Sequence, residues 1–272
     1  MKPLHIDHAT LELPRLPAAF EGLRVLHLSD LHLIRWIPRM EKTRKALGEL
    51  RPDLAVITGD LGHRSWRWRQ SLPAILRMLE PIQAPLGTYF ILGNHDSPQL
   101  GAELGRHGMR MLTNESVVLT RRGQRLALVG LAQHKRIDTD IPAALTDTLA
   151  DDFKLMLMHY PDLIFAAGAA GADVCLAGHT HGGQICYPDG SPILGHDALS
   201  PQQCSGVHKI NGTWLVVNRG VGKAGVRLRL FCPPHAILLT FRRGGRSSAR
   251  FPASEDSKTD STTRRVSAAT PR

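Results

Sequence analysis

The side chains that can do chemistry in this sequence stand in five short clusters. They are Asp30 with His32, Asp60 after Gly59, Asn94 with His95 and Asp96 after Gly93, His159 alone, and His179 with His181 inside Gly178-His179-Thr180-His181-Gly182-Gly183-Gln184. Carboxylate, amide and imidazole ligands without cysteine suit Mn, Fe or Zn rather than a soft metal. Seven of them (Asp30, His32, Asp60, Asn94, His159, His179 and His181) are too many for one catalytic ion, which usually takes about three protein ligands. Two divalent ions fit better, with Asp60, the isolated acid of the set, as the natural bridge. Ions roughly 3.5–4 Å apart would hold a hydroxide between them and clamp phosphoryl oxygens during an in-line attack. His95 can donate a proton near neutral pH, and Asp96 can fix the tautomer and orientation of an imidazole.

Each cluster also has a bland reading. Asn, Asp and Gly are the residues that turns favour, Asp-x-His is a chance pair, and two histidines can be satisfied in a core. Three glycines around His179 and His181 are harder to explain by packing, since they let the backbone crowd close to whatever the imidazoles hold. Fourteen histidines in 272 residues point the same way.

The elements that must position these clusters are apolar strands, each running into one of them: residues 23–29, 54–57, 88–92, 153–158 and 173–177. Helical patterns at 38–50, 63–80, 98–107, 142–149 and 162–169 separate or follow the strands. Strand, helix, strand makes parallel neighbours whose polar ends share one edge of the sheet, which is where an α/β sheet presents its chemistry. In extended chain, positions i and i+2 share a face, so Asp30 and His32, and likewise His179 and His181, should point the same way. Residues 4–13 alternate as an edge strand or hairpin. Residues 117–119 pair with 125–131, and 209–210 with 213–217 across Asn211-Gly212, a strong hairpin signal. Residues 236–241 are a last strand, reached through a flexible connection carrying Gly220, Gly222 and Gly225.

With 42% hydrophobic residues the chain can bury an ordinary core. The domain should span residues 1–242. From Arg242 onward, eight Arg or Lys against three acids give 8 − 3 = +5, half of the net charge of +10. Residues 243–272 are Ser/Thr-rich and basic and should be disordered. The folded part is then mildly basic, which suits an anionic substrate and demands no nucleic acid. Four cysteines without C-x-x-C spacing read as reduced structural thiols. With no signal-like N-terminus and no membrane-spanning run, the expected location is the cytoplasm. The absence of G-x-G-x-x-G, Walker-lysine and G-x-S-x-G motifs argues against dinucleotide enzymes, P-loop proteins and serine hydrolases.

The five clusters, in this order, resemble the pattern of calcineurin-like metallophosphoesterases: D-x-H, G-D, G-N-H-[DE], a histidine, and G-H-x-H. The resemblance implies an α/β fold, a four-layer α-β-β-α sandwich of two mixed sheets. It implies one metal held by Asp30, His32, Asp60 and His181, the other by Asp60, Asn94, His159 and His179, and His95 beside the leaving group, oriented by Asp96. The string 178–184 is similar to a bacterial branch of phosphodiesterases, some of which cleave UDP-diacylglucosamine. One departure is visible: the family often has G-D-x-x-[DN], and here His63 stands in the last place. The expected substrate is a phosphodiester or pyrophosphate, in lipid-linked or nucleotide-sugar form. The alternative is a non-catalytic metal-binding scaffold. Trp66 and Trp68 among Arg64, Arg67 and Arg69 are either packing residues at a solvated helix start or a peripheral membrane contact.

Overall fold

The computed structural model describes residues 3–133, 138–193, 199–225, 228–244 and 248–250. The strands β1 (His5–Glu12), β2 (Arg24–Leu28), β3 (Leu54–Thr58), β4 (Thr88–Ile91) and β5 (Arg110–Met111) open a first sheet. The strands β6 (Glu115–Arg121), β7 (Gln124–Gly130), β8 (Phe153–Leu157), β9 (Val174–Ala177), β10 (Gly206–Ile210) and β11 (Thr213–Val217) form a second. The chain then returns to the first with β12 (His235–Arg242) and β13 (Ser248–Arg250). The orders are β13-β1-β12-β2-β3-β4-β5 and β10-β11-β9-β8-β7-β6. Both sheets are mixed, and β2, β3 and β4 run parallel in one while β7, β8, β9 and β11 run parallel in the other.

Alternation along the strands sorts their side chains into three apolar layers. Val25, Leu54, Val56 and Ile91 meet Leu126, Leu128, Leu155 and Leu176 between the sheets. Their neighbours Leu26, Leu28, Ala55, Ile57 and Phe90 face outward onto α1 (Met40–Gly48), α2 (Trp68–Leu79) and α3 (Pro98–Arg106). On the other side, Met156, Cys175 and Leu215 pack under α4 (Ile141–Ala144) and α5 (Ile164–Ala169). Strands buried on both faces read as continuous apolar runs, which is why 54–57 and 153–158 were legible. Helix, sheet, sheet, helix is the four-layer α/β sandwich. Truncating Phe90, fully buried beneath the helices, should cost about 3–5 kcal/mol.

Some expectations change. β1 is no edge strand, because β12 pairs with it in parallel and Ser248–Arg250 covers its other side. The expected helix at 142–149 stops at Ala144; beyond it the Asp152 carboxylate takes the Leu149 N–H (2.8 Å) and Lys154 Nζ takes the Leu149 and Ala150 carbonyls, replacing a helical ladder. Residues 63–80 yield a tight turn at Ser65–Arg67 before α2 begins at Trp68. The glycine connection is not loose at Gly220 and Gly222, since the Val221 and Gly222 N–H groups bond to the Ser29 (3.2 Å) and Asp30 (2.7 Å) carbonyls. The four cysteines are buried and unbridged. Among the described residues no helix is long and apolar enough to cross a membrane. Residues 251–272, and with them most of the expected disordered tail, lie outside the described residues.

Candidate metal centre

The carboxyl ends of β2, β3, β4, β8 and β9 converge, and at three of them the chain leaves its strand through left-handed backbone. Asp30 and His32 have φ of 49° and 43°, Asp60 has 55°, and His179 and His181 have 68° and 52°. Each such residue costs of order 1–3 kcal/mol and persists only where its surroundings over-determine it. Here the two loops zip together: the N–H groups of Asp30, His32 and Leu33 donate to the carbonyls of Gly59 (3.0 Å), Asp60 (2.9 Å) and Leu61 (3.1 Å). A Cβ at Gly178 would collide with Ser29 Oγ, and one at Gly93 with Asp60 Oδ1, so these glycines seat the loops against the carboxylates. The glycine-rich run thus makes room for protein atoms as well as for a ligand.

The shared-face expectation fails for the second histidine pair, because the backbone there is not extended. His181 Nε2 turns to Asp30 Oδ1 (3.3 Å) and His32 Nε2 (3.0 Å), whereas the His179 ring lies against His159 (5.0 Å between centroids) and Tyr160 (4.4 Å). Asp60 Oδ2 stands 3.5 Å from His32 Nε2 and 3.5 Å from His159 Nε2, between the two groups. Asn94 Oδ1 is 3.0 Å from His159 Nε2. All seven expected ligand residues therefore lie at this edge, with Asp30, His32, Asp60, His159 and His181 buried and Asn94 and His179 half-buried.

Three features fit divalent cations. Asp30 Oδ1 is buried without a hydrogen-bond donor, while Oδ2 accepts from Ser29 Oγ (2.6 Å) and the His179 N–H (3.0 Å). His159 Nδ1 lies 2.7 Å from the Thr58 carbonyl, a contact that holds a proton on Nδ1 and turns Nε2 toward Asn94 and Asp60. His32 and His181 point ring nitrogens at each other and at carboxylates. The donor clusters Asp30-His32-His181 and Asp30-Asp60-His159 each gather within 4.8 Å. Asp30 belongs to both by distance, but Asp60 Oδ2 alone is placed evenly between histidines of the two groups.

The electrostatics describe a pocket short of positive charge. Burial lifts the Asp30 carboxyl to about 6, with Asp60 adding to the lift and His159 opposing it. Burial works against the Asp60 charge too, yet His159, His32 and His95 hold that carboxyl well below the usual range. Burial lowers His32 to about 4 and drives His181 well down, whereas His159 rises to about 9, because Asp60 and Asp30 outweigh its burial.

Asp96 differs from its expected role. Its carboxylate accepts the N–H groups of Leu61 (3.2 Å), Gly62 (2.9 Å) and Gly93 (3.0 Å), so it ties the loop after β3 to the loop after β4 rather than gripping the His95 ring. His95 is set instead by its N–H on Asp60 Oδ1 (2.8 Å) and by two rings, His32 edge-on at 5.1 Å and His63 parallel at 6.2 Å. His63, the departure noted in the sequence, thereby takes a place in the site. Two further residues escaped sequence reasoning. Gln133 Oε1 accepts the His159 and Tyr160 N–H groups. Buried Arg229 donates to the carbonyls of Arg219 (2.7 Å), Gly220 (3.1 Å), Gly222 (2.8 Å) and His181 (3.4 Å), bracing the histidine loop. Nothing local in the sequence marks Arg229, which is buried between exposed Leu228 and Leu230.

The family model for calcineurin-like phosphoesterases matches residues 23–183, which contain every cluster above. The chain belongs to the calcineurin-like phosphoesterase family and is a metal-dependent phosphoesterase. It is 26% identical over 241 residues to the uncharacterized metallophosphoesterase YkuE of Bacillus subtilis, covering 86% of this chain and 84% of that protein. It is 29% identical to the phosphodiesterase YaeI of Escherichia coli, covering 79% and 81%. It is 25% identical to the UDP-2,3-diacylglucosamine pyrophosphatase LpxG of Chlamydia trachomatis, covering 87% and 88%.

Proposed function

We propose that this chain hydrolyses phosphodiester or pyrophosphate bonds with two divalent ions, Mn, Fe or Zn, and that its substrate is lipid-linked. Asp30, His32, Asp60 and His181 hold one ion, and Asp60, Asn94, His159 and His179 the other. The observation that carries this reading is Asp60 Oδ2 at 3.5 Å from both His32 and His159, beside a buried Asp30 oxygen that lacks a donor. When bound, such an ion pair supplies Lewis-acid charge for phosphoryl oxygens and an activated water. The protein's own residues do the rest. His95 holds a proton for the departing oxygen, at a position fixed by its N–H on Asp60 and by the flanking rings of His32 and His63. Asp96 and Gln133 act through the backbone, holding the loops that carry the ligands.

Two observations favour an amphiphilic substrate over a soluble one. One is the likeness to a pyrophosphatase named for a diacylated nucleotide sugar. The other is Trp66, exposed at 66%, with the guanidinium of Arg67 at 4.3 Å from its ring centre and Arg64 at 5.9 Å. An exposed indole among arginines suits peripheral contact with an anionic bilayer, each cation adding about 1 kcal/mol near such a surface. Trp68 is half-buried against the helical layer and is a packing residue.

The test is a screen of phosphomonoesters, phosphodiesters, nucleotide sugars and lipid-linked pyrophosphates against the Mn-loaded protein. Turnover of bis(p-nitrophenyl) phosphate and preference for a lipid-linked pyrophosphate support the reading. Two bound ions with no turnover of any phosphate ester would favour the scaffold instead.

A further inference from the structure

The loop between β2 and α1 breaks the usual rule that connecting segments are polar. Ile34, Trp36 and Ile37 are only half-buried there, shortly after metal-edge His32, as is Met40 at the start of α1. Behind them lies a cavity of about 230 Å³ whose apolar wall includes Ile34, Ile37, Met40, Met78 and Val221. Its polar wall is His32 and His63 with Arg39 and Lys223, so it begins at the metal edge itself. A wider groove of about 820 Å³ shares His32, Ile34, Ile37 and Met40 with it and runs past Arg35, Arg39 and Arg67. No carboxylate lines either space. An apolar interior entered beside the reacting centre, with a rim of one charge sign, is complementary to a molecule that joins an alkyl chain to an anionic head.

We propose that this cavity is a chain-binding subsite: it receives one alkyl or acyl chain of the phosphoester substrate, while the arginines along the groove meet the remaining anionic groups. The proposal rests on the phosphodiesterase reading above and adds where the chain goes and which residues set its length. Ile34 and Ile37 form the wall that is neither core nor ligand, so they are the specificity-determining positions. His63, at the junction of cavity and metal edge, marks where chain gives way to phosphate.

The test uses p-nitrophenyl alkyl phosphates from methyl to decyl, which keep the scissile bond and leaving group constant and vary only the chain. In the Mn-loaded wild-type protein kcat/KM should climb with chain length, by at most roughly three- to fourfold per methylene buried, and level off when the cavity is full. Ile37→Trp, which fills the space, and Ile34→Lys, which places a charge in it, should each bring the decyl-to-methyl ratio close to one. A flat wild-type series alongside good turnover of the methyl ester would overturn the proposal. Absence of turnover along the whole series would count against the phosphodiesterase reading instead. A second measurement keeps the two apart: calorimetric titration with decyl phosphate below its micelle concentration, compared with methyl phosphate. Tighter binding of decyl phosphate that Ile37→Trp removes supports the subsite without any catalysis. Equal binding of the two phosphates, or decyl binding that Ile37→Trp leaves untouched, contradicts it.

Discussion

Two groups of histidine and aspartate lie in this fold, one half-exposed and one buried, and they are matched to different degrees. At the start of β1 and β12, Asp7 gives one oxygen to His235 Nε2 (2.8 Å) and the other to His5 Nε2 (2.8 Å), while His235 Nδ1 accepts the Arg219 N–H (3.3 Å). Every ring nitrogen of His235 has a complementary partner, and the group closes on itself. Around Asp60 the matching is incomplete: Asp30 Oδ1 has no donor and His32 Nδ1 has no partner, although both are buried. Unsatisfied buried polar groups cost about 1–3 kcal/mol each, so a fold that leaves two side by side at one strand edge needs something to offset them.

Substitution tests that contrast most strongly. Asp60→Asn should abolish turnover of bis(p-nitrophenyl) phosphate and lower occupancy at both positions, as read by elemental analysis, because the charge between the two groups is gone. Loss of one ion with the other bound at unchanged affinity would remove Asp60 from its central place. His95→Asn is the next largest effect. It should cost an alkyl diester about 10²–10⁴-fold in kcat, and p-nitrophenyl esters far less, since p-nitrophenolate leaves without needing a proton. Equal losses on both substrates would make His95 a positioning residue.

Metal removal should separate the two groups by stability. Stripping with a chelator should lower the melting temperature, since ions that bind only the folded chain stabilise it by mass action, and Asp60→Asn should shrink that difference. The smallest effect belongs to the closed group. Asp7→Asn should cost about 1–3 kcal/mol of stability and leave metal content at the wild-type level. Its pH dependence has a definite sign. Burial disfavours the Asp7 charge, but His235 and His5 more than offset it and hold the carboxyl well below its ordinary 3.8. A depressed acid contributes stability that is complete above its unfolded value and is lost as pH falls below it. Denaturant titrations of wild type and Asp7→Asn should therefore differ most above about pH 4 and converge on acidification. A gap that widens toward low pH would contradict the assignment.

The candidate ligands were legible in the sequence because their chemical types recur at the ends of apolar strands, and strand ends are visible as changes from apolar runs to glycine and polar residues. The three-layer core was legible for the same reason: 54–57 and 153–158 have the composition of strands covered on both faces. What it hid was carried by contacts distant in the chain. Asp96 serves backbone amides about 35 residues away, Gln133 holds the backbone of His159, and Arg229 braces His181 from 48 residues on. No local pattern encodes such partners. The left-handed backbone at Asp30, His32, His179 and His181 was hidden too, since Asp and His do not announce positive φ as glycine does, and it undid the shared-face argument for the second pair. The neighbours of β1 were decided by a strand more than 220 residues later.

In the proposed arrangement two ions flank one carboxylate, that of Asp60. Anomalous diffraction from crystals of the Mn-reconstituted protein tests it directly. Two anomalous peaks should stand on either side of the Asp60 carboxylate, one among Asp30, His32 and His181 and the other among Asn94, His159 and His179. A single peak, or a pair bridged by Asp30 with Asp60 bound to only one of them, would contradict the account.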